Sequence, residues 1–176
     1  MSSIVVEFEG FQVHTYDFII KEMAFYSVDL GYHSRWSFLP PCPCEELPIK
    51  KRKKFSWLPR NYHGLSWNCG ELPYSTLELV LSSLFSSNKN IYTKGLEKTK
   101  FLEKKSGRRV FNLDDVNCPK FILLEGLPAK CPMHSKHFKH CALAKASVFA
   151  KYIKDRTSVM NVICVQDVNI ETSQIA

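Results

Sequence analysis

Ile4-Val5-Val6-Glu7-Phe8-Glu9-Gly10-Phe11 is the stretch on which the fold turns. Its β-branched and aromatic residues favour a pleated strand. Because side chains alternate along a strand, Glu7 and Glu9 share one face of it. Working outward, Phe18–Leu30 is the next extended run, and Gly31 marks a turn after it. Tyr32–Phe38 then returns as a third strand, antiparallel to the second, before Pro40, Pro41 and Pro43 stop it.

Beyond these strands the period changes. Leu77, Val80, Leu81 and Leu84 form an i, i+3, i+4, i+7 stripe, which predicts a helix over Tyr74–Phe85. Asn90–Thr93 reads as a short strand, Leu96–Lys105 as a helix ending near Gly107, Arg109–Asn112 as a strand and Ala142–Tyr152 as a last apolar helix. Residues 39–72, rich in Pro, Gly and charge, read as a long extended connection of the kind that carries function or moves. The β-prone run Val159–Val168 either adds a strand or is loosely held. The expected fold class is α/β: a mixed sheet with helices on its faces, one domain over residues 1–155, and a tail over 156–176.

The chain has 176 residues, enough to bury a core without cross-links. It carries 24 Lys and Arg against 17 Asp and Glu, and a formal charge of +7 favours polyanionic partners. No uncharged apolar run approaches the roughly 20 residues of a membrane helix, and Met1-Ser2-Ser3-Ile4 does not open a signal peptide. A cytoplasmic or nuclear protein with reduced thiols is expected, where clustered cysteines suggest metal binding rather than disulfides.

Such a cluster stands near the C-terminus. Cys131-Pro-Met-His134 is followed by His137, His140 and Cys141. A Cys-x-x-His step lets two donors converge on one ion, and Cys141 at a helix start adds a third. Tetrahedral zinc needs one more, for which the local sequence offers His137 or His140. Cys42-Pro-Cys44 lacks a companion pair and reads as two loop cysteines.

The element order and three short motifs resemble the DEDDh exonucleases, which have a ribonuclease-H-like fold. Glu7-Phe8-Glu9 stands where that superfamily has an acidic pair on its first strand, and Glu97 where an acid opens a helix after a short strand. His140-Cys141-Ala142-Leu143-Ala144-Lys145 matches the His-x-Ala-x-x-Asp motif except that lysine replaces the aspartate. Two-metal hydrolysis needs carboxylates around its ions, and an ammonium there would repel them. The resemblance therefore implies a degenerate acidic pocket of Glu7, Glu9, Glu97 and His140 without the standard reaction. One branch of that fold fits better: the chain resembles the Maelstrom domain of the piRNA pathway, which lacks the catalytic acids and carries a Glu-Cys-His-Cys zinc site. That resemblance implies structural Zn²⁺ on Glu22, Cys131, His134 and Cys141, with RNA and silencing-pathway proteins as partners.

Lys50-Lys51-Arg52-Lys53-Lys54 is the sharpest charge feature, followed by Phe55, Trp57, Arg60, Tyr62, His63 and Trp67. Cations interleaved with aromatics suit single-stranded RNA, and the run also reads as a nuclear-localisation patch. Lys94, Lys98, Lys100, Lys104, Lys105, Arg108 and Arg109 extend the basic surface. The competing reading is a solvated charge run whose aromatics pin a loop to the core. Three functions stay open: an RNA-binding, zinc-stabilised exonuclease-like domain; an active ribonuclease, metal-independent or with Asp114 or Asp115 rebuilding the acidic site; and a protein-interaction scaffold.

Overall fold

Alternation along β1 (Ser2–His14) sends Ile4, Val6 and Phe8 to one face of the sheet and Val5 to the other. The computed structural model describes residues 2–124, 131–132, 134 and 140–173, with side chains as far as Ser158. β1 pairs antiparallel with β2 (Asp17–Ser27), and β2 antiparallel with β3 (His33–Ser37). On its other edge β1 lies parallel to β4 (Asn88–Thr93), which lies parallel to the two-residue β5 (Phe111–Asn112). The order β3-β2-β1-β4-β5 makes a five-stranded mixed sheet flanked by helices, so the chain is α/β.

Two helices cover one face. α2 (Thr76–Ser87) buries Leu77, Leu81, Leu84 and Phe85, and α3 (Leu96–Ser106) buries Phe101 and Leu102, against Ile4, Val6, Phe8, Met23 and Phe25. Each fully buried side chain of this size contributes on the order of 1.5–3 kcal/mol. Gly107 ends α3 in the left-handed conformation at φ 64°, its N–H bonded back to the Glu103 carbonyl. α4 (Ala142–Ser173) crosses the opposite face, where Ala146, Phe149 and Ala150 pack on Val5. Alanines there let the helix axis come close to the sheet.

Two expectations are corrected. Residues 39–72 are not an extended connection, because Ile49–Asn61 forms a helix, α1. Lysine and arginine are good helix formers, Pro48 stands before the first turn where its missing N–H costs nothing, and Pro59 falls near the end. Phe55 fastens the helix, packing on Phe11 and stacking on Trp67, ring centroids 4.8 and 5.8 Å away. The run Val159–Val168 adds no strand; it continues α4 to Ser173. Extending a nucleated helix costs little, and β preference acts only when a strand edge is at hand.

The pairing of β1 with β2 contains an irregularity that positions the site. Glu9 pairs with Glu22 and Gly10 with Ile20, so Lys21 is skipped. A Cβ on Gly10 would lie 2.1 Å from the Ile19 carbonyl oxygen, so only glycine allows this approach.

Candidate functional site

Glu9 and Glu22 are direct cross-strand partners on the face that α4 covers. Like charges directly opposite destabilise a strand pair, so each carboxylate needs a counter-charge. Each has a different one.

Around Glu22 the four ligands expected from the resemblance come together. One donor atom from each of Glu22, Cys131, His134 and Cys141 lies within 4.8 Å of every other, an arrangement that could hold a metal ion. Glu22 Oε2 is 2.8 Å from His134 Nε2; Glu22 Oε1 is 3.2 Å from Cys131 Sγ and 3.9 Å from Cys141 Sγ. Donors at tetrahedral angles on a zinc-sized ion stand about 3.3 to 3.8 Å apart, so little movement is needed. Glu22 Oε2 also accepts the Ala142 N–H at 3.0 Å, at the first residue of α4. The Cys141 thiol is pushed far up by its contact with Cys131 and by burial, so an ion binding here must displace protons. Glu22 is fully buried. Of the two histidines offered by the local sequence, His137 lies outside the described residues, and His140 is engaged elsewhere.

Around Glu7 and Glu9 the partners are lysines. Lys98 Nζ lies 2.7 Å from Glu7 Oε2 and 3.8 Å from Glu9 Oε1, while the Lys145 ammonium donates to Glu9 Oε1. Glu7 Oε1 accepts from the Lys94 N–H at 2.8 Å and the Thr93 hydroxyl at 3.2 Å. Burial alone would raise the Glu9 carboxyl; Lys98 and Lys145 outweigh it and hold the group down at about 2. Burial pulls the Lys98 ammonium down, and Glu7 and Glu9 more than reverse that. The pair is neutralised in place.

Glu97 is exposed in the first turn of α3 and lines the same cavity as Glu9, but it makes no ion pair among the described residues, and Lys98 is the residue that turns inward onto Glu7. Lys98 precedes Phe101 and Leu102 by three and four residues, which centres it on the buried stripe of the helix. That spacing is the signal by which the sequence could have shown it. Asp114 binds the Lys94 ammonium, and Asp115 is exposed. His140 stacks on Tyr62 with ring centroids 3.6 Å apart and planes at 15°, a contact with no sequence signal. Burial and Lys145 push its imidazole down to about 4, so it is neutral.

Two cavities adjoin this cluster. One, of about 320 Å³, lies between α1 and α3 and is lined by Lys54, Leu58, Tyr62, Lys94 and Lys98 among others. The second, of about 360 Å³, shares Tyr62, Lys94 and Lys98 and adds Lys120, His140 and Lys145. They form a cleft leading from the basic helix to the lysine-filled acidic pair.

On α1, Lys50, Lys53, Lys54, Trp57 and Arg60 are exposed, at spacings that put them on one helical face. Lys51 and Arg52 are half-buried, while Phe55, His63 and Trp67 are core residues. Arg108 holds backbone carbonyls of Phe85, Asn88 and Lys89. Arg109 is exposed and lies over the Phe111 ring at 5.0 Å. No helix among the described residues is long and apolar enough to cross a membrane. In comparisons with known proteins, no family model and no curated protein matches the chain.

Proposed function

We propose that this chain is a ribonuclease-H-like domain of the Maelstrom type that binds single-stranded RNA and does not perform two-metal hydrolysis. One observation carries the reading: the ammoniums of Lys98 and Lys145 sit on Glu7 and Glu9, where a two-metal enzyme would need free carboxylates. A divalent ion entering there would have to displace both. The strand order supports the fold assignment, since three antiparallel strands with two parallel ones added beside the first is the ribonuclease-H-like arrangement.

At the second carboxylate, two thiolates, an imidazole and a carboxylate suit zinc better than calcium or magnesium, which prefer oxygen ligands alone. Zinc would tie β2 to the start of α4 across more than 100 residues, so its role would be structural. RNA is favoured by α1. Its first turn has no acid and its first half is a run of five cations, which opposes the helix dipole and puts like charges at i, i+4. A bound polyanion would relieve this repulsion, and exposed Trp57 offers a base a stacking surface. A silencing context follows from the resemblance alone.

The test is binding of labelled single-stranded RNA at several salt concentrations, with cleavage followed in Mg²⁺ and in EDTA. If Lys50, Lys53, Lys54 and Arg60 each meet a phosphate, log K falls against log salt with a slope of about −3. No binding at any salt concentration would remove RNA as the partner and leave a scaffold. Mg²⁺-dependent cleavage abolished by Glu7→Gln would restore two-metal chemistry, and cleavage surviving EDTA would make the domain a metal-independent ribonuclease.

A further inference from the structure

We infer that the cavity beside the acidic pair is a binding site for a phosphate monoester on a nucleoside, met as the phosphorylated end of an RNA strand or as a free mononucleotide. The first source rests on the RNA-binding reading; the second does not.

Lys94, Lys98, Lys120 and Lys145 line the cavity. Glu7 and Glu9 balance Lys98 and Lys145, and half-exposed Asp114 balances Lys94. Lys120 is exposed and has no ion-pair partner among the described residues, so among them one positive charge is left over. Both Glu7 oxygens and Glu9 Oε1 already accept from Lys98, Lys145, Thr93 or the Lys94 N–H, so their charge is largely offset by the ammoniums beside them.

An ammonium has three N–H groups. Lys145 gives one to Glu9, and Lys98 reaches Glu7 with Glu9 farther off, so both retain donors for phosphate oxygens. A monoester carries up to two negative charges where an internal phosphodiester carries one, so a site with lysine donors and a small charge excess favours chain ends.

Tyr62 stacked on His140, with Phe121 and Phe149, gives the cavity planar aromatic surfaces of the kind on which bases stack. Buried His140 Nδ1 has no hydrogen-bond partner among the described residues and is a polar atom that a ligand hydroxyl could satisfy. About 360 Å³ is within the range of small-molecule sites. The lysines that exclude divalent ions thus leave a place for the phosphate.

The experiment uses the full chain and two sets of probes. Calorimetry compares adenosine monophosphate, adenosine and inorganic phosphate; the monophosphate is expected to bind at least tenfold more tightly than the nucleoside. Anisotropy compares one RNA decamer with a 5′-phosphate, a 3′-phosphate, neither, or closed into a circle. A phosphorylated end should bind several-fold more tightly than the circle, and Lys120→Glu, at an exposed position, should erase that preference while circle binding persists. Lys53→Glu should weaken every RNA and leave the mononucleotide unaffected. Monophosphate binding no better than adenosine, together with equal binding of all four RNAs, overturns the inference. Mononucleotide binding with no RNA bound at all would sink the RNA reading and keep this site.

Discussion

Glu9 and Glu22 face each other across two strands, both buried, and the chain neutralises them by opposite means. Glu9 receives two ammoniums from its own helices, one from α3 and one from α4. Glu22 receives two thiols, an imidazole and the N–H of the first residue of α4. The first solution needs nothing from outside and closes the carboxylate to cations. The second leaves soft donors that an ion can gather, so its stability depends on what the cell supplies. Counter-charge alone therefore decides whether a buried acid becomes a strut or a binding site.

Removing a candidate ion ligand should have the largest effect. Cys141→Ser is expected to lose about one zinc per chain, measured by inductively coupled plasma mass spectrometry. Its melting temperature should fall by well over 10 °C, because structural zinc contributes on the order of 10 kcal/mol to folding. Unchanged metal content would refute the centre. The lysine side comes next. Lys145→Met leaves Glu9 with only Lys98, at an expected cost of about 3–5 kcal/mol in urea unfolding. Adding Glu9→Gln should recover much of it, since the uncompensated charge is then gone. An additive double variant would show that the two residues are not coupled.

Acid should then sharpen the contrast. The Glu9 carboxyl sits at about 2 in the folded chain against 4.5 for an unperturbed glutamate. Its stabilisation is complete above about pH 4.5 and is lost as pH falls toward 2. The whole step is worth on the order of 3 kcal/mol. Unfolding free energy measured from pH 6 to pH 2.5 should fall across that window, and in Glu9→Gln this component of the slope should vanish. The smallest effect on stability belongs to α1. Lys53→Glu should change it by less than about 0.5 kcal/mol while weakening RNA at low salt. Unchanged affinity in this folded variant would move the RNA surface elsewhere.

The strands and α2 and α3 were legible because burial imposes period 2 or 3.6 on their apolar residues, as at Ile4, Val6 and Phe8 or Leu77, Leu81 and Leu84. α1 was hidden because its code is unusual: a charge run between two prolines, fastened by Phe55 to residues far along the chain. Among the candidate metal donors, Cys131, His134 and Cys141 announced themselves by spacing. A lone glutamate in a strand has no local signature, and only the family resemblance pointed to Glu22. Glu97 was read from an acid at a helix start and lies at the cavity wall, whereas Lys98, the position that the helical repeat turns inward, was read only as part of a basic surface.

Lys21, the residue skipped in the strand pairing, has no exposed surface, and its ammonium donates to the carbonyls of Phe38 and Cys69 at 2.6 and 2.5 Å. An acylating reagent can reach that amine only when the Phe38 and Cys69 segments part from β2, whereas exposed Lys50 or Lys53 reacts at once. The extent of labelling at Lys21 over time would therefore clock such openings, and zinc added or withheld would show whether an ion slows them.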